Sequence, residues 1–441
     1  MSAVPPDIPK NVRSAYRRTN PLGGLTIVIK LGTSSICDEK TFMPKLSNLS
    51  LLVETVVALR ADGHKIVLVS SGAVGVGLRR LQLGAKPKHL PKKQQAVAAV
   101  GQGRLMALYD SLFSQFDVPI AQVLLTRDSL AERTQYLNAC NTFKELLLMD
   151  VVPIVNENDA VSHAELRFGD NDTLSAIAAG MVNGDYLFLL TDVDCLYTDN
   201  PRTNPDAKAV RVVEDVGKLK EKVTVTSPGS SLGTGGMVTK LIAADLATAA
   251  GCSTIVSLGS APQKILSILN EVAAHRSRPA GTPFTPTIGT HFLAKRAPMM
   301  DRKWWILHGL SAAGAVYLDA GAVQAVVRPH RSSLFAAGIV RVEGTFGAQQ
   351  AVRILTVVAV RDAEDRVVEL GKGIVNYSST EIARIRGHRS AEIEALLGYV
   401  DSGWVVHRDN LVITNRAVDP AAVVFKTHGS PTGVHPDSDA H

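Results

Sequence analysis

Four segments combine residue types that could do chemistry on anions. Lys30 follows directly on the apolar run Leu25–Ile29 and is succeeded by Leu31-Gly32-Thr33-Ser34. A cation at the end of a buried strand is costly unless an anion or a carboxylate meets it, so Lys30 reads as a phosphate ligand or as half of a structural ion pair. The spacing leaves both readings open. The second segment, Ser70-Ser71-Gly72-Ala73-Val74-Gly75-Val76-Gly77, would let a ligand approach backbone N–H groups at a helix start, where an anion is stabilised. Its order is G-x-x-G-x-G rather than the dinucleotide G-x-G-x-x-G, so a nicotinamide enzyme is not supported. A tight turn that needs small residues would leave the same pattern.

The third segment runs Asn156-Glu157-Asn158-Asp159 after an apolar stretch, with Gly169-Asp170-Asn171-Asp172 shortly beyond it. Helix capping accounts for Asp170 or Asn171 alone. It does not account for so many carboxylates together, which repel unless lysines, a metal or a substrate ammonium group sit among them. In the fourth, Leu187–Leu190 lead into Thr191-Asp192, and Gly233-Thr234-Gly235-Gly236-Met237-Val238-Thr239-Lys240 opens a helix. Glycines at a helix start with a terminal lysine follow the logic of a phosphate cradle. They do not follow the Walker spacing, which excludes a literal P-loop.

The elements that must position these segments alternate. Leu49, Leu52, Val53, Val56 and Val57 keep helical spacing, Gly63 closes that helix, and Ile66–Val69 is a short β-branched run, which together make a β-α-β unit. The alternation recurs through Ile120–Leu125, Val151–Val155, a helix near 173–181, Leu187–Leu190, a helix near 237–250 and Thr254–Leu258. The fold class expected is α/β, a mostly parallel sheet sandwiched by helices, with ligands at the carboxyl ends of its strands. Residues 24–275 would form this domain behind an N-terminal extension, 1–23. The Pro-rich stretch 276–298 reads as a linker. Residues 299–412 change to short strands at 315–318, 338–342, 352–360, 367–370, 374–377 and 405–406 with one helix near 381–397, a smaller β-rich domain. Residues 413–441 read as an unstructured tail.

Composition agrees with this division. The chain has 441 residues, 46% hydrophobic and 20% charged, enough for two or three domains with large cores. No stretch is long and apolar enough to span a bilayer, and the start lacks a signal-peptide core, so a cytoplasmic protein is expected. The four cysteines are scattered, which argues against disulfides and a structural metal; Cys195 reads as a small core residue rather than a nucleophile. The net charge of +6 falls wholly in residues 1–300, and 301–441 is balanced.

With the six segments Ile27–Ser34, Ser70–Gly77, Pro153–Val161, Phe168–Asp172, Leu190–Arg202 and Gly233–Lys240 in this order, the chain resembles the amino-acid kinase family, and within it the members that act on glutamate. The β-rich remainder, with Arg331-Ser332-Ser333-Leu334-Phe335, is similar to a PUA domain. The resemblance implies ATP-dependent phosphorylation of the γ-carboxylate of L-glutamate, the first step of proline biosynthesis, with proline as feedback inhibitor. It implies Lys30 and Lys240 as cations flanking the transferring phosphoryl group and Asp172 as the group holding both. Gly32, Thr191, Asp192, Thr234, Gly235, Gly236, Met237, Val238 and Thr239, with the two lysines, match its ATP-binding positions. Ser71, Gly72, Asp159, Asp170 and Asn171 match its glutamate-binding positions. Mg²⁺ is expected with ATP, held by phosphates and water and not by protein ligands. A homo-oligomer is expected, and the labile product implies a γ-glutamyl phosphate reductase as a partner. RNA is not the expected ligand of a domain without net positive charge. Rival readings are another acceptor on the same fold, namely aspartate, N-acetylglutamate, carbamate or UMP, and a nucleotide- or proline-sensing or RNA-binding protein on a kinase scaffold.

Overall fold

A computed structural model describes residues 24–83, 91–126, 130, 132–162, 171–199, 204, 206–216, 219, 236–276, 284, 286–295, 301–328, 332–360 and 364–425. These fall into two compact units that divide near residue 300. Among them, no helix is long and apolar enough to cross a membrane.

The first unit runs β1 (Thr26–Leu31), α1 (Thr33–Ile36), α2 (Leu46–Ala61), β2 (Lys65–Ser70), α3 (Ala73–Arg80), α4 (Pro91–Phe113), β3 (Ile120–Leu125), α5 (Arg133–Leu148), β4 (Val152–Glu157), α6 (Asn171–Met181) and β5 (Tyr186–Thr191). It continues through β6 (Leu196–Tyr197), β7 (Ala209–Val210), β8 (Val212–Val213), α7 (Met237–Ala249), β9 (Ser253–Leu258), α8 (Lys264–Arg276) and β10 (Thr290–Phe292). Eight strands form one sheet in the order β3-β4-β2-β1-β5-β9-β10-β8. Neighbours from β3 to β9 are parallel, and β10 lies antiparallel to β9. Every residue of β1, β4 and β5 is buried, as strands covered on both faces must be, which is why they read as continuous apolar runs.

β10 falls inside the stretch expected to be a linker. Its three residues are buried, and the Thr290 hydroxyl accepts from the Leu196 N–H and donates to the Val210 carbonyl. It pairs with β9 on one side and β8 on the other, and no proline falls within it.

The glycines after Ser71 serve different ends. Gly72 is left-handed, φ +98°, a conformation glycine adopts at no steric cost. Gly77 packs α3 on α4: a Cβ there would lie 2.0 Å from the Val97 carbonyl oxygen, and one at Gly101 1.7 Å from that of Ala73. Helix contact, not ligand approach, therefore explains Gly77. Gly77→Ala is expected to push α4 off α3 at a cost of about 1–3 kcal/mol, the usual penalty of overpacking. Calorimetry would read this as a melting temperature lowered by several degrees.

The second unit has β11 (Gly314–Leu318), α9 (Ala320–Val327), β12 (Ile339–Glu343), β13 (Ala351–Val358), β14 (Arg366–Ile374), α10 (Ser379–Ile385), α11 (Ile393–Leu397) and β15 (Leu411–Ile413). Its sheet has the order β12-β11-β13-β14-β15, over a core of its own that includes Val316, Leu318, Ile354 and Tyr377. Three expectations change here. The strand read at 367–370 runs on through Gly371 and Gly373 and ends at Ile374, so 375–377 are not a strand; a Cβ at Gly371 would sit 1.9 Å from the Val412 carbonyl oxygen of β15. The helix read near 381–397 is two, parted by Gly387 at φ +80°. The stretch from 413 is not all tail, since Val423 is buried in the core and bridges Val358. Residues 405–406 contribute only a bridge to Leu334.

Candidate active site

Parallel pairing brings the last residues of β1, β2, β4, β5 and β9 to one edge of the sheet. β1 lies between β2 and β5, so the chain order reverses beside Lys30, and such a reversal opens a crevice at the carboxyl ends.

Lys30 is the fifth residue of β1 and only 5% exposed. Asp172, in the first turn of α6, is fully buried. Lys240, in the first turn of α7, is 6% exposed. Lys30 Nζ lies 2.6 Å from Asp172 Oδ1 and Lys240 Nζ 3.2 Å from Oδ2. The Thr239 hydroxyl stands 2.8 Å from both Oδ2 and the Gly236 carbonyl. Burial pushes the Asp172 carboxyl up, but the two ammonium groups and the hydroxyl outweigh it and hold the pKa at about 2. One carboxylate thus gathers two lysines from opposite sides of the chain at a helix N-terminus, where the dipole also favours an anion. The ion pair read as one alternative for Lys30 is present. A Cβ at Gly32 would stand 3.7 Å from Lys30 Nζ, so Gly32 runs beside the ammonium at ordinary contact distance.

A second cluster lies across the edge. Asn171 Nδ2 is 3.1 Å from the Ser70 carbonyl, 3.0 Å from Ser71 Oγ and 2.9 Å from Asn156 Oδ1, and Asn156 Nδ2 donates to Gln102 Oε1 at 2.8 Å. Ser71, Asn171 and the Gly72 turn are therefore brought together. Asp159 stands partly buried two residues past β4. On the other flank Thr191 ends β5, its hydroxyl donating to the Asp192 carboxylate at 3.1 Å. Gly236 caps α7 in extended backbone, followed by Met237, the half-exposed Val238, Thr239 and Lys240. Asp170, Thr234 and Gly235 lie outside the described residues.

Three contributors escaped the sequence reading. Asn48 of α2 donates from Nδ2 to the Ser35 carbonyl at 2.7 Å and the Gly259 carbonyl at 2.9 Å, joining the turn after Lys30 to the end of β9. A polar residue on the buried side of an apolar helix was its only signal. Gly259 passes so close that a Cβ would lie 2.2 Å from Ser35 Oγ. Gln102 had no signal, because only the fold carries α4 to β4. Cys195 is fully buried, and burial raises its thiol pKa, as befits a core residue.

The family model described as the amino acid kinase family matches residues 25–257, and the PUA domain model matches 314–397. A Schizosaccharomyces pombe protein named "Probable glutamate 5-kinase" is 54% identical over 88% of this chain and 93% of its own length. Glutamate 5-kinases of Microcystis aeruginosa and a Cyanothece strain are each 50% identical over 88% of this chain, and over 96% and 99% of their own lengths. Among solved structures, a carbamate kinase from Giardia lamblia bound to AMP-PNP matches 62% of this chain and 99% of its own at 15% identity and a TM-score of 0.44. With the motifs in order and the match running through both units, the chain belongs to the amino acid kinase family, among the glutamate 5-kinases, and carries a PUA domain after the kinase domain.

Proposed function

We propose that the protein transfers the γ-phosphoryl group of ATP to the γ-carboxylate of L-glutamate, forming L-glutamyl 5-phosphate in the first step of proline biosynthesis. The observation that carries this reading is the buried pair of lysines on Asp172 at the carboxyl edge of the sheet. A free carboxylate, with a pKa near 4.3, is ionised at neutral pH, so no general base is needed. One carboxylate oxygen forms a bond to the γ-phosphorus as the bond to the β-phosphate oxygen breaks, and ADP leaves without a proton being abstracted. The obstacle is the approach of two anions and the charge on the transferring group. Lys30 and Lys240 meet that charge, and Asp172 fixes where they stand. Ser71, Asn171 and the Gly72 N–H hold glutamate, with Asp159 on its α-ammonium group; Thr191, Asp192 and the start of α7 hold the nucleotide.

The Asp172 oxygens are taken up by the lysines, and among the described residues no group of three or more His, Cys, Asp or Glu could hold a metal ion. Mg²⁺ carried by the nucleotide phosphates and water would neutralise phosphate charge there. Proline shares the α-carboxylate and α-nitrogen of glutamate, which supports inhibition through the same side of the site, between Asp159 and Asp172. An acyl phosphate is labile, which supports delivery to a reductase.

Hydroxylamine traps acyl phosphates, so the test is ATP-dependent hydroxamate formation with L-glutamate, L-aspartate and N-acetyl-L-glutamate in parallel, with and without proline. A signal with glutamate, suppressed by proline, is expected. One methylene is worth only about 1–3 kcal/mol of discrimination, so aspartate is the acceptor most able to overturn the substrate. Silence with all three in a protein that binds ATP would favour a sensor.

A further inference from the structure

The Ser71–Gly72 peptide is held from behind by a residue that none of the motifs contains. Tyr109, on α4, is fully buried, and its hydroxyl lies 2.9 Å from Ser70 Oγ, itself 1% exposed at the end of β2. Ser70 Oγ in turn donates to the Ser71 carbonyl at 3.0 Å. A serine hydroxyl has one proton. With that proton on the Ser71 carbonyl, the proton between Tyr109 and Ser70 comes from the tyrosine, whose phenol burial pushes far above its ordinary range.

The peptides on either side of Ser71 differ in how they are secured. The Ser70–Ser71 unit is held at both ends: the Ser71 N–H donates to the Leu31 carbonyl at 3.2 Å and the Ser70 carbonyl accepts from Asn171. The Ser71–Gly72 unit is held through its carbonyl by Ser70, while among the described residues no acceptor is paired with the buried Gly72 N–H. In a trans peptide the carbonyl and the N–H point in opposite directions. Tying the Ser71 carbonyl to the buried Ser70 side chain therefore turns the Gly72 N–H away from it. Glycine at φ +98° does not oppose a flip of this peptide by sterics, since both signs of φ are open to it. The orientation rests on the hydroxyl relay.

We infer that Tyr109 is a positioning residue for the acceptor side of the site: its hydroxyl, through Ser70, orients the Ser71–Gly72 peptide so that the Gly72 N–H is presented to a substrate oxygen. The inference rests on the proposed kinase activity only for the identity of that substrate. The orientation of the peptide is independent of it.

The test compares the full-length wild type with Tyr109→Phe, Ser70→Ala and the double variant. Phenylalanine keeps the ring that fills the core and removes the hydroxyl alone. Tyr109→Phe is expected to raise the KM for glutamate about tenfold, roughly the loss of one well-placed hydrogen bond. The KM for ATP should stay within about twofold, because the relay does not reach the Thr191 side. Amide exchange at Gly72, followed without ligand, should change, and the double variant should be no worse than the more affected single one, since both cut one relay. A lower melting temperature with unchanged glutamate KM and unchanged exchange at Gly72 would show a purely structural hydroxyl and overturn the inference, as would additive effects of the two substitutions. If the wild type itself leaves glutamate untouched, the substrate reading falls, and the exchange rate at Gly72 still decides whether Tyr109 sets the peptide.

Discussion

Replacing Lys240 with methionine is expected to lower kcat for glutamyl phosphate formation by about 10³-fold, the scale of a cation removed from a transferring phosphoryl group. Methionine keeps much of the length and apolar stem of lysine, so the first turn of α7 stays filled. Asp172 keeps Lys30 at 2.6 Å and the Thr239 hydroxyl at 2.8 Å, and so is not left without a counter-charge. The loss should therefore fall on turnover far more than on folding. Single-turnover measurements with glutamate and ATP saturating would separate the chemical step from binding. Wild-type turnover in the variant would remove Lys240 from the mechanism. Lys30→Met is the companion, with a comparable fall in kcat, because Lys30 shares the same carboxylate from the opposite side. A nucleotide sensor would behave differently: both variants would change ATP affinity while no turnover existed to lose.

The parts of this site legible in the sequence are those whose residue type conflicts with its position. Lys30 stood out because a lysine ended an apolar strand, and Asp172 because it closed a run of acidic and amide residues that needed cations nearby. Local spacing revealed neither that the two would meet nor that Lys240, 68 residues beyond Asp172, would complete the pair; only the family resemblance implied it. Sheet order decides that, and long-range pairing is not encoded in local spacing. Asn48 lay beside an apolar helical pattern without being singled out by it, and Gln102 and Tyr109 lay in a stretch that no motif or element reading covered. Their roles follow from carbonyls and amides that other elements bring to them. The same limit applies to the second unit. The sequence pattern breaks a strand at Gly371 and carries a helix through Gly387, yet Gly371 sits within a continuous strand against β15, whereas Gly387 does end a helix. A glycine marks close approach or positive φ alike, and only the neighbours tell which.

Asp172→Asn should be the most damaging substitution for the fold. The carboxamide has nearly the shape of the carboxylate but leaves Lys30 and Lys240, both almost fully buried, without their shared counter-charge. Removing one member of a buried ion pair costs about 3–5 kcal/mol, which at about 2–4 °C per kcal/mol for a domain of this size is a large loss in melting temperature. Turnover should fall with it, because nothing then fixes the lysines against the phosphoryl group. Acid separates this electrostatic cause from a packing defect. The Asp172 pKa is lowered from 3.8 to about 2 in the folded protein, so its contribution is fully present above about pH 4. As the pH falls from there towards 2 the unfolded state takes up the proton first, and the contribution is lost. The stability gap between wild type and Asp172→Asn, measured by denaturant unfolding, should hence be constant from neutral pH down to about 4 and narrow below it. A gap that stays constant down to pH 2 would mean that the asparagine harms packing, and that the lysines are held by something other than the charge between them.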